Sequence, residues 1–400
     1  MFLPFLTMFT IISMAQCRGW VRMGRSLLRS HSLHGTAAFN NATGSITDVM
    51  SSVNMRSYCA SANHSDYSKF SSGSSSSNHH HAPFSSSTNA EDIPFAAISS
   101  PVSQSNALEK LLEKYRGKMM RVSVPRFPHC QIYLCGTLHV AHHSTEMVAE
   151  AIQTICPTFV MLELCEGRVD SLVDDLHHVE IRIKDILHAA WTERSVRTLA
   201  MGLLTWMQTK AAKLTSSKLG GEISTACKEA SMCGSTIILG DRLYSVTFQR
   251  IFDRLQWHEQ AKMLVILLWE TLTMSVGMLA DYIKKTHDDE KFIQEEIEKF
   301  AKYLPAFADV VIFERDEYLS QTINEIAKRG FSKGTKDGSI LAVVGAGHLQ
   351  GIEKQLLKGD VSAERMHAIA SSTKQASTWP SNGALLVVDS KVLYKDSPSQ

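Results

Sequence analysis

Two short motifs set the chemistry this chain can offer. Residues 136–139 read GTLH and residues 345–348 read GAGH, so a Gly-x-x-His element occurs twice, ending in His139 and His348. Each follows a short apolar run. Two further apolar runs end in polar groups: 159–162 leads into Glu163, and 235–239 leads through Gly240 into Asp241 and Arg242. Imidazole and carboxylate are ligands for divalent transition metals, so two histidines and a glutamate can form an inner set for Mn, Co or Zn. A bound ion brings the pKa of its water toward neutrality and polarises a carbonyl, which is the chemistry of metal-assisted hydrolysis. In that scheme His139 and His348 hold the metal, and Glu163 either ligates it or takes the proton from its water. Asp241 ligates or orients a histidine, while Arg242 or Arg168 stabilises developing negative charge. One GxxH alone carries little information, because a lone histidine near a helix start is more often a cap or a core residue. The repetition, with Glu163 at a third strand end, is what carries the signal.

For these groups to meet, the four apolar runs must be neighbouring strands. The runs at 132–135, 159–162 and 340–344 are short and continuously apolar, and 235–239 (STIIL) ends so, as strands buried on both faces do. The first two are separated by apolar residues at helical spacing (Val148, Ala151, Ile152, Ile155), with Ser144 as a cap and Pro157 after the end. This is a strand–helix–strand unit of a parallel sheet, and ligand sites in such sheets form beyond the carboxyl ends of the strands. The expected fold is α/β: a mostly parallel central sheet with helices on both faces and a helical insertion, preceded by a disordered N-terminal segment. Gly136 and Gly345 are expected to let the backbone turn sharply and something approach closely.

Other site types fit less well. Gly345, Gly347 and Gly351 miss dinucleotide spacing by one residue, and neither a Walker A pattern nor a GxSxG elbow occurs. Cys135 and Cys165 could pair with His139 as nucleophiles, but no positive cluster flanks them, which favours structural thiols. Glu314, Arg315 and Asp316, in FERDEYL at 313–319, suit a site and a helix-locking ion-pair scaffold equally well.

The 41 basic and 40 acidic side chains leave a formal charge of +1, which excludes a polycationic nucleic-acid binder. With 44% apolar and 20% charged residues, the chain can bury a sizeable core and is not a wholly disordered or polytopic membrane protein. Eight cysteines without a CxxC pair make neither a disulfide scaffold nor a zinc ribbon; Cys135, Cys156, Cys165, Cys227 and Cys233 read as reduced core residues. Residues 1–105 read as a targeting segment and linker. Arg18, Arg22, Arg25 and Arg29 precede the first acid, Asp48, in a Ser-rich stretch, a composition that suits mitochondrial or plastid import better than secretion. Residues 71–88 are about half serine, as in a flexible linker. The folded domain is expected over 106–372, starting with an amphipathic helix at 107–115. A tail at 373–400 offers edge strands at most and no C-terminal membrane anchor. Residues 262–280 are strongly apolar, but Glu270 at their middle would cost about 2.5–3.5 kcal/mol in a bilayer. A core or interface helix is expected there, with peripheral membrane contact or a homo-oligomer interface as alternatives.

Five ordered motifs carry a resemblance: YLCGTLH at 133–139, MLELCEGR at 161–168, ILGDR at 238–242 with Thr247 and Arg250 after it, FERDEYL at 313–319, and VVGAGHLQGI at 343–352. Over residues 121–358 the chain resembles the TraB/PrgY/GumN family, especially its eukaryotic TraB domain-containing members. The resemblance implies an α/β sheet with helical insertions and a relation to the TIKI proteins, membrane-bound metal-dependent proteases acting on Wnt ligands. It implies roles for His139, His348 and Glu163 as the shared hallmark. Bacterial members shut down pheromone signalling, and some eukaryotic members associate with the mitochondrial outer membrane and organelle contacts. Two functions follow as expectations: a metal-dependent, peptidase-like hydrolase of a peptide or protein substrate, or a non-catalytic adaptor or regulator that binds a partner. Mitochondrial location, imported or at the outer surface, is expected, with plastid or cytosol as alternatives.

Overall fold

The computed structural model describes residues 101–138, 142–173, 182–215, 220–289, 291–331, 337–379 and 386–388. Of the targeting segment and Ser-rich linker expected over 1–105, residues 1–100 lie outside the described residues, as does His139, whereas 101–105 are the start of a helix.

In chain order the elements begin with α1 (Pro101–Lys114), β1 (Met119–Val122), β2 (Cys130–Thr137), α2 (His142–Ile155), β3 (Phe159–Leu162) and α3 (Glu166–Val173). A helical stretch follows: α4 (Ile183–Glu193), α5 (Val196–Thr215) and α6 (Gly221–Met232), the last leading into β4 (Thr236–Leu239). The insertion holds α7 (Tyr244–Arg254), α8 (Trp257–Thr273), α9 (Val276–Asp288), α10 (Phe292–Tyr303) and the single turn α11 (Pro305–Ala308). One π-helical turn, Asp309–Phe313, runs into α12 (Glu314–Gly330). Then come β5 (Gly338–Gly345), the 3-10 turn Ala346–His348, α13 (Leu349–Lys358), α14 (Ala363–Ile369) and β6 (Leu386–Val388).

The fold is α/β with a mostly parallel sheet, in the order β1-β2-β5-β3-β4-β6. The inner strands β2, β5, β3 and β4 are parallel, and β1 and β6 close the edges antiparallel. Side chains alternate across the pleat. Tyr133, Cys135, Val160, Leu162, Ile237, Leu341 and Val343 face one core, shared with Val148, Ile152, Ile223 and Ala226 of α2 and α6. Ile132, Leu134, Met161, Ile238, Ile340, Ala342 and Val344 face another, with Leu319 and Ile323 of α12 and Ile352 of α13. Burial on both faces explains the uninterrupted apolar runs. A third core, among α5, α7, α8 and α10, belongs to the helical insertion.

Several expectations need correction. The apolar stretch 262–280 is not one helix but two, α8 and α9, meeting at a 108° bend. Ser275 caps α9 by accepting from the Met278 amide (3.3 Å), so a new helix begins where apolar content suggested continuity. Among the described residues no single helix is long and apolar enough to cross a membrane. Met263, Leu267 and Glu270 of α8 are buried, whereas Val265, Trp269 and Leu272 are exposed. Ser144 does not cap α2 but lies inside its first turn, where its hydroxyl accepts from the Leu138 amide (2.9 Å) and donates to the Leu138 carbonyl (3.0 Å). Cys156 is exposed and not a core thiol, while Cys233 is half-buried and packs against the edge of the core.

Candidate functional site

The carboxyl ends of β2, β5, β3 and β4 lie along one rim, because the four strands run parallel and in register: Gly136 beside Val344, Leu162 beside Val343, and Leu162 beside Leu239. Glu163 is the first residue past β3, and its amide continues the ladder to the Val343 carbonyl (3.0 Å). Asp241 follows Gly240 at the end of β4, with its amide on the Leu164 carbonyl (3.2 Å). His348 ends the 3-10 turn beyond β5. All three are buried.

What joins them is Arg315, which is fully buried on the first turn of α12. Its Nη2 donates to Asp241 Oδ2 (2.8 Å) and to Glu163 Oε1, and its Nε lies 3.3 Å from Asp241 Oδ1. Its Nη1 stands 3.0 Å from His348 Nε2. A guanidinium only donates, so Nε2 must accept there and carries a lone pair. The other ring nitrogen, Nδ1, then donates to Asp316 Oδ1 at 2.6 Å. Glu163 Oε2 accepts from the Gly345 amide (2.6 Å), and Glu163 Oε1 lies 3.8 Å from His348 Nε2. Burial pulls the Arg315 pKa down, but Asp241 and Glu163 outweigh it and hold the guanidinium above its ordinary value. Burial pushes the Asp316 carboxyl up, against the His348 bond, which favours its charged form.

Of the two arginines expected to act on charge, Arg242 is engaged elsewhere. Arg242 donates to Thr247 Oγ1 (2.9 Å), Glu314 Oε2 (2.8 Å) and the carbonyls of Ile369 (2.7 Å) and Val310 (2.5 Å). It ties α7, the π turn, α12 and α14 together rather than facing Glu163. Arg168 is buried in the first turn of α3, its amide on the Cys165 carbonyl (3.0 Å). Burial pushes the Cys135 thiol up to about 12 and the Cys165 thiol up to about 11, which leaves them unreactive.

FERDEYL, undecided between site and scaffold, divides between the two. Glu314 faces Arg242 and Arg250, while Arg315 and Asp316 face the histidine and the strand ends. The glycines also have partners that sequence did not name. A Cβ at Gly136 would stand 2.8 Å from Leu349 Cγ and 3.1 Å from the Ala346 backbone, so the first GxxH strand makes room for the second GxxH turn. Gly345 adopts ordinary extended angles (φ −62°, ψ 140°), and its contribution is the amide that Glu163 accepts. Gly351, dismissed as a failed dinucleotide glycine, packs its Cα against the Asp316 carboxylate. Gly351→Ala would drive a methyl into that carboxylate. The expected cost is about 1–3 kcal/mol of unfolding free energy in a urea titration; an unchanged midpoint would show that Asp316 is not pinned there.

A divalent ion can be tested against this donor set. The position between Glu163, Asp241 and His348 Nε2 is filled by the Arg315 guanidinium. Among the described residues no group of three or more His, Cys, Asp or Glu side chains could hold a metal. The described residues as placed do not fit Mn, Co or Zn beside that fixed positive charge, and His139 lies outside them.

A parallel α/β sheet with buried acid, imidazole and guanidinium at its strand ends is the class of protein these observations define. Residues 123–365, more than half of the chain, match the TraB/PrgY/gumN family, and the chain belongs to it. It is similar to an uncharacterized protein of Methanocaldococcus jannaschii, 29% identical over 273 residues, covering 66% of this chain and 64% of that one. It is similar also to the TraB domain-containing proteins of Mus musculus (27% over 290 residues, 66% and 76% covered) and Bos taurus (28% over 309 residues, 68% and 77% covered). The chain thus spans just under two thirds of the archaeal relative's length.

Proposed function

We propose that this TraB-family chain is a hydrolase of acyl bonds, peptide-like in substrate, working from the cluster at the strand ends. The observation that carries the reading is His348, held by Asp316 on one ring nitrogen and facing Arg315 and Glu163 with the other. Asp316 selects the tautomer that leaves a lone pair on Nε2, the atom that takes a proton from water once substrate opens its one bond to Arg315 Nη1. Arg315 supplies fixed positive charge for an oxyanion, the role expected of Arg242 or Arg168. Glu163 and Asp241 hold that guanidinium in place. His139, which follows Leu138 in the chain, is kept from the family resemblance as a second imidazole.

The test is a peptide library incubated with purified protein and read by mass spectrometry. Cleavage should fall about 10²–10⁴-fold in His348→Ala and should persist after exhaustive chelation. Cleavage equal in wild type and His348→Ala would overturn the reading. Stoichiometric Mn, Co or Zn in untagged protein, lost in His348→Ala together with activity, would restore the metal-dependent scheme in its place.

One observation favours the adaptor as a second reading. Trp257, Val265, Trp269, Leu272 and Val276, on α8 and its corner with α9, expose a large apolar face opposite the buried one. A folded His348→Ala protein that rescues a loss-of-function phenotype would favour binding without turnover.

A further inference from the structure

At the opposite rim of the sheet, away from the charged cluster, two cysteines meet. Cys156 follows the last turn of α2 and Cys233 that of α6, two helices that share a core through Ala151, Ile152, Ala226 and Ala230. Their Sγ atoms are 3.4 Å apart, already in van der Waals contact although the residues are 77 positions apart in the chain. We propose that Cys156 and Cys233 are a reversible redox pair that closes to a disulfide.

The surroundings hold both partners in place. The Ser235 hydroxyl donates to the Pro157 carbonyl (2.6 Å), and the Thr236 amide to the Thr158 carbonyl (3.0 Å), so the chain just beyond each cysteine is already tied to the other's. From there β3 and β4 run in fixed parallel register, Phe159 beside Thr236. Cys156 takes a left-handed backbone (φ 43°) without being glycine, while its amide still closes the helix on the Ile152 carbonyl (2.8 Å). A strained conformation of this kind persists only where the surrounding structure over-determines it. Cys233 Sγ lies 3.8 Å from the same Ile152 carbonyl. A disulfide has its sulfurs about 2.05 Å apart, so the two Sγ atoms at 3.4 Å need a modest approach to bond.

Exposure sets the order of events. Cys156 is open to solvent, and Cys233 is half-buried, with burial and the Cys156 contact pushing its thiol up to about 12. The oxidant is a hydroperoxide. The Cys156 sulfur attacks the outer peroxide oxygen; the O–O bond breaks, an alcohol or water leaves with a proton, and Cys156 becomes a sulfenic acid. The Cys233 sulfur then attacks the Cys156 sulfur. The S–O bond breaks and the departing hydroxide leaves as water with the Cys233 proton. In sum two thiols lose two electrons and two protons while one peroxide is reduced to alcohol and water. A dithiol reductant returns both thiols through a mixed disulfide.

The bond would clamp α2 to α6 at the end remote from the GxxH turns. The experiment uses the full chain, reduced, then exposed to one equivalent of hydrogen peroxide, alkylated and mapped by non-reducing peptide mass spectrometry. A linked Cys156–Cys233 peptide is expected, together with a thermal midpoint about 5–10 °C higher than in the reduced protein. Both should vanish on dithiothreitol treatment and be absent in Cys156→Ser and Cys233→Ser, which remain folded. Accumulation of Cys156 sulfinic acid with Cys233 still alkylated would overturn the pair, as would a linked peptide from any other cysteines in its place. Neither result bears on the hydrolase reading, because the pair shares no residue with that cluster.

Discussion

Arg315→Met is expected to destabilise the fold by about 3–5 kcal/mol, the range for removing one partner of a buried charge network. The size follows from what the side chain holds. One guanidinium serves Glu163, Asp241 and His348 with three of its nitrogens, and all four side chains are buried. Methionine fills the volume but leaves two buried carboxylates without their counter-charge. Arg315→Lys should recover only part of the loss, since an ammonium on a flexible stem cannot span three acceptors in a fixed fork. Denaturant titration of the single variants and of Arg315→Met combined with Glu163→Gln measures the coupling. The double variant should cost less than the sum of the singles by more than about 1 kcal/mol. A single-variant cost below about 1 kcal/mol would mean that the carboxylates do not depend on Arg315, and the guanidinium could not then be the site's fixed cation.

The rim that carries this network was legible in the sequence for a physical reason. Strands buried on both faces must be apolar throughout, so the polar residue that ends each one stands out: Glu163 after Leu162, Asp241 after Leu239 and Gly240, His348 after β5. A parallel sheet then puts those ends together without any further information. Arg315 and Asp316 were harder to assign because they lie on a helix buried all round. Glu314, Arg315 and Asp316 are consecutive and all buried, and each points a different way. The π turn Asp309–Phe313 adds to the difficulty: one extra residue in a turn shifts the facing of everything after it by about 100°. A periodicity count that runs through Val310, Val311 and Ile312 therefore arrives at α12 out of phase. The available signal was a charged triplet between apolar runs, which marks burial but not direction. Arg242 was misread for a related reason. Adjacency to Asp241 suggested a shared task, yet Asp241 turns to Arg315 and Arg242 turns to Glu314. The broken apolar helix turned on one hydroxyl, Ser275, that hydropathy does not weigh.

Glu314→Ala should rival Arg315→Met in cost, at about 3–5 kcal/mol, and its pH dependence gives it a distinct signature. Glu314 accepts from Arg242 Nη1 (2.8 Å), Arg250 Nε (2.8 Å) and Arg250 Nη2 (2.5 Å), with its own side chain wholly buried. Burial alone would push its carboxyl up, but the bonds and charges of Arg250 and Arg242 prevail and hold it below the ordinary value of 4.5. A carboxyl whose folded pKa lies below its unfolded one adds stability above the unfolded pKa and loses it as pH falls through the folded one. Wild-type unfolding free energy should therefore drop on acidification below about pH 4.5, and that part of the drop should be missing in Glu314→Gln. Arg250→Met should cost less than Glu314→Ala, because Arg250 is partly exposed and Glu314 keeps Arg242. Glu314→Ala strands two cations at once, one of them fully buried. Since Arg242 also binds the Val310 and Ile369 carbonyls, its release loosens the π turn that sets the phase of α12. On the proposed hydrolase reading, the variant should then lose peptide cleavage as well as stability, whereas Arg250→Met should keep most of that cleavage. Equal costs for the two variants would mean that the helix is held by its apolar packing and not by this triad.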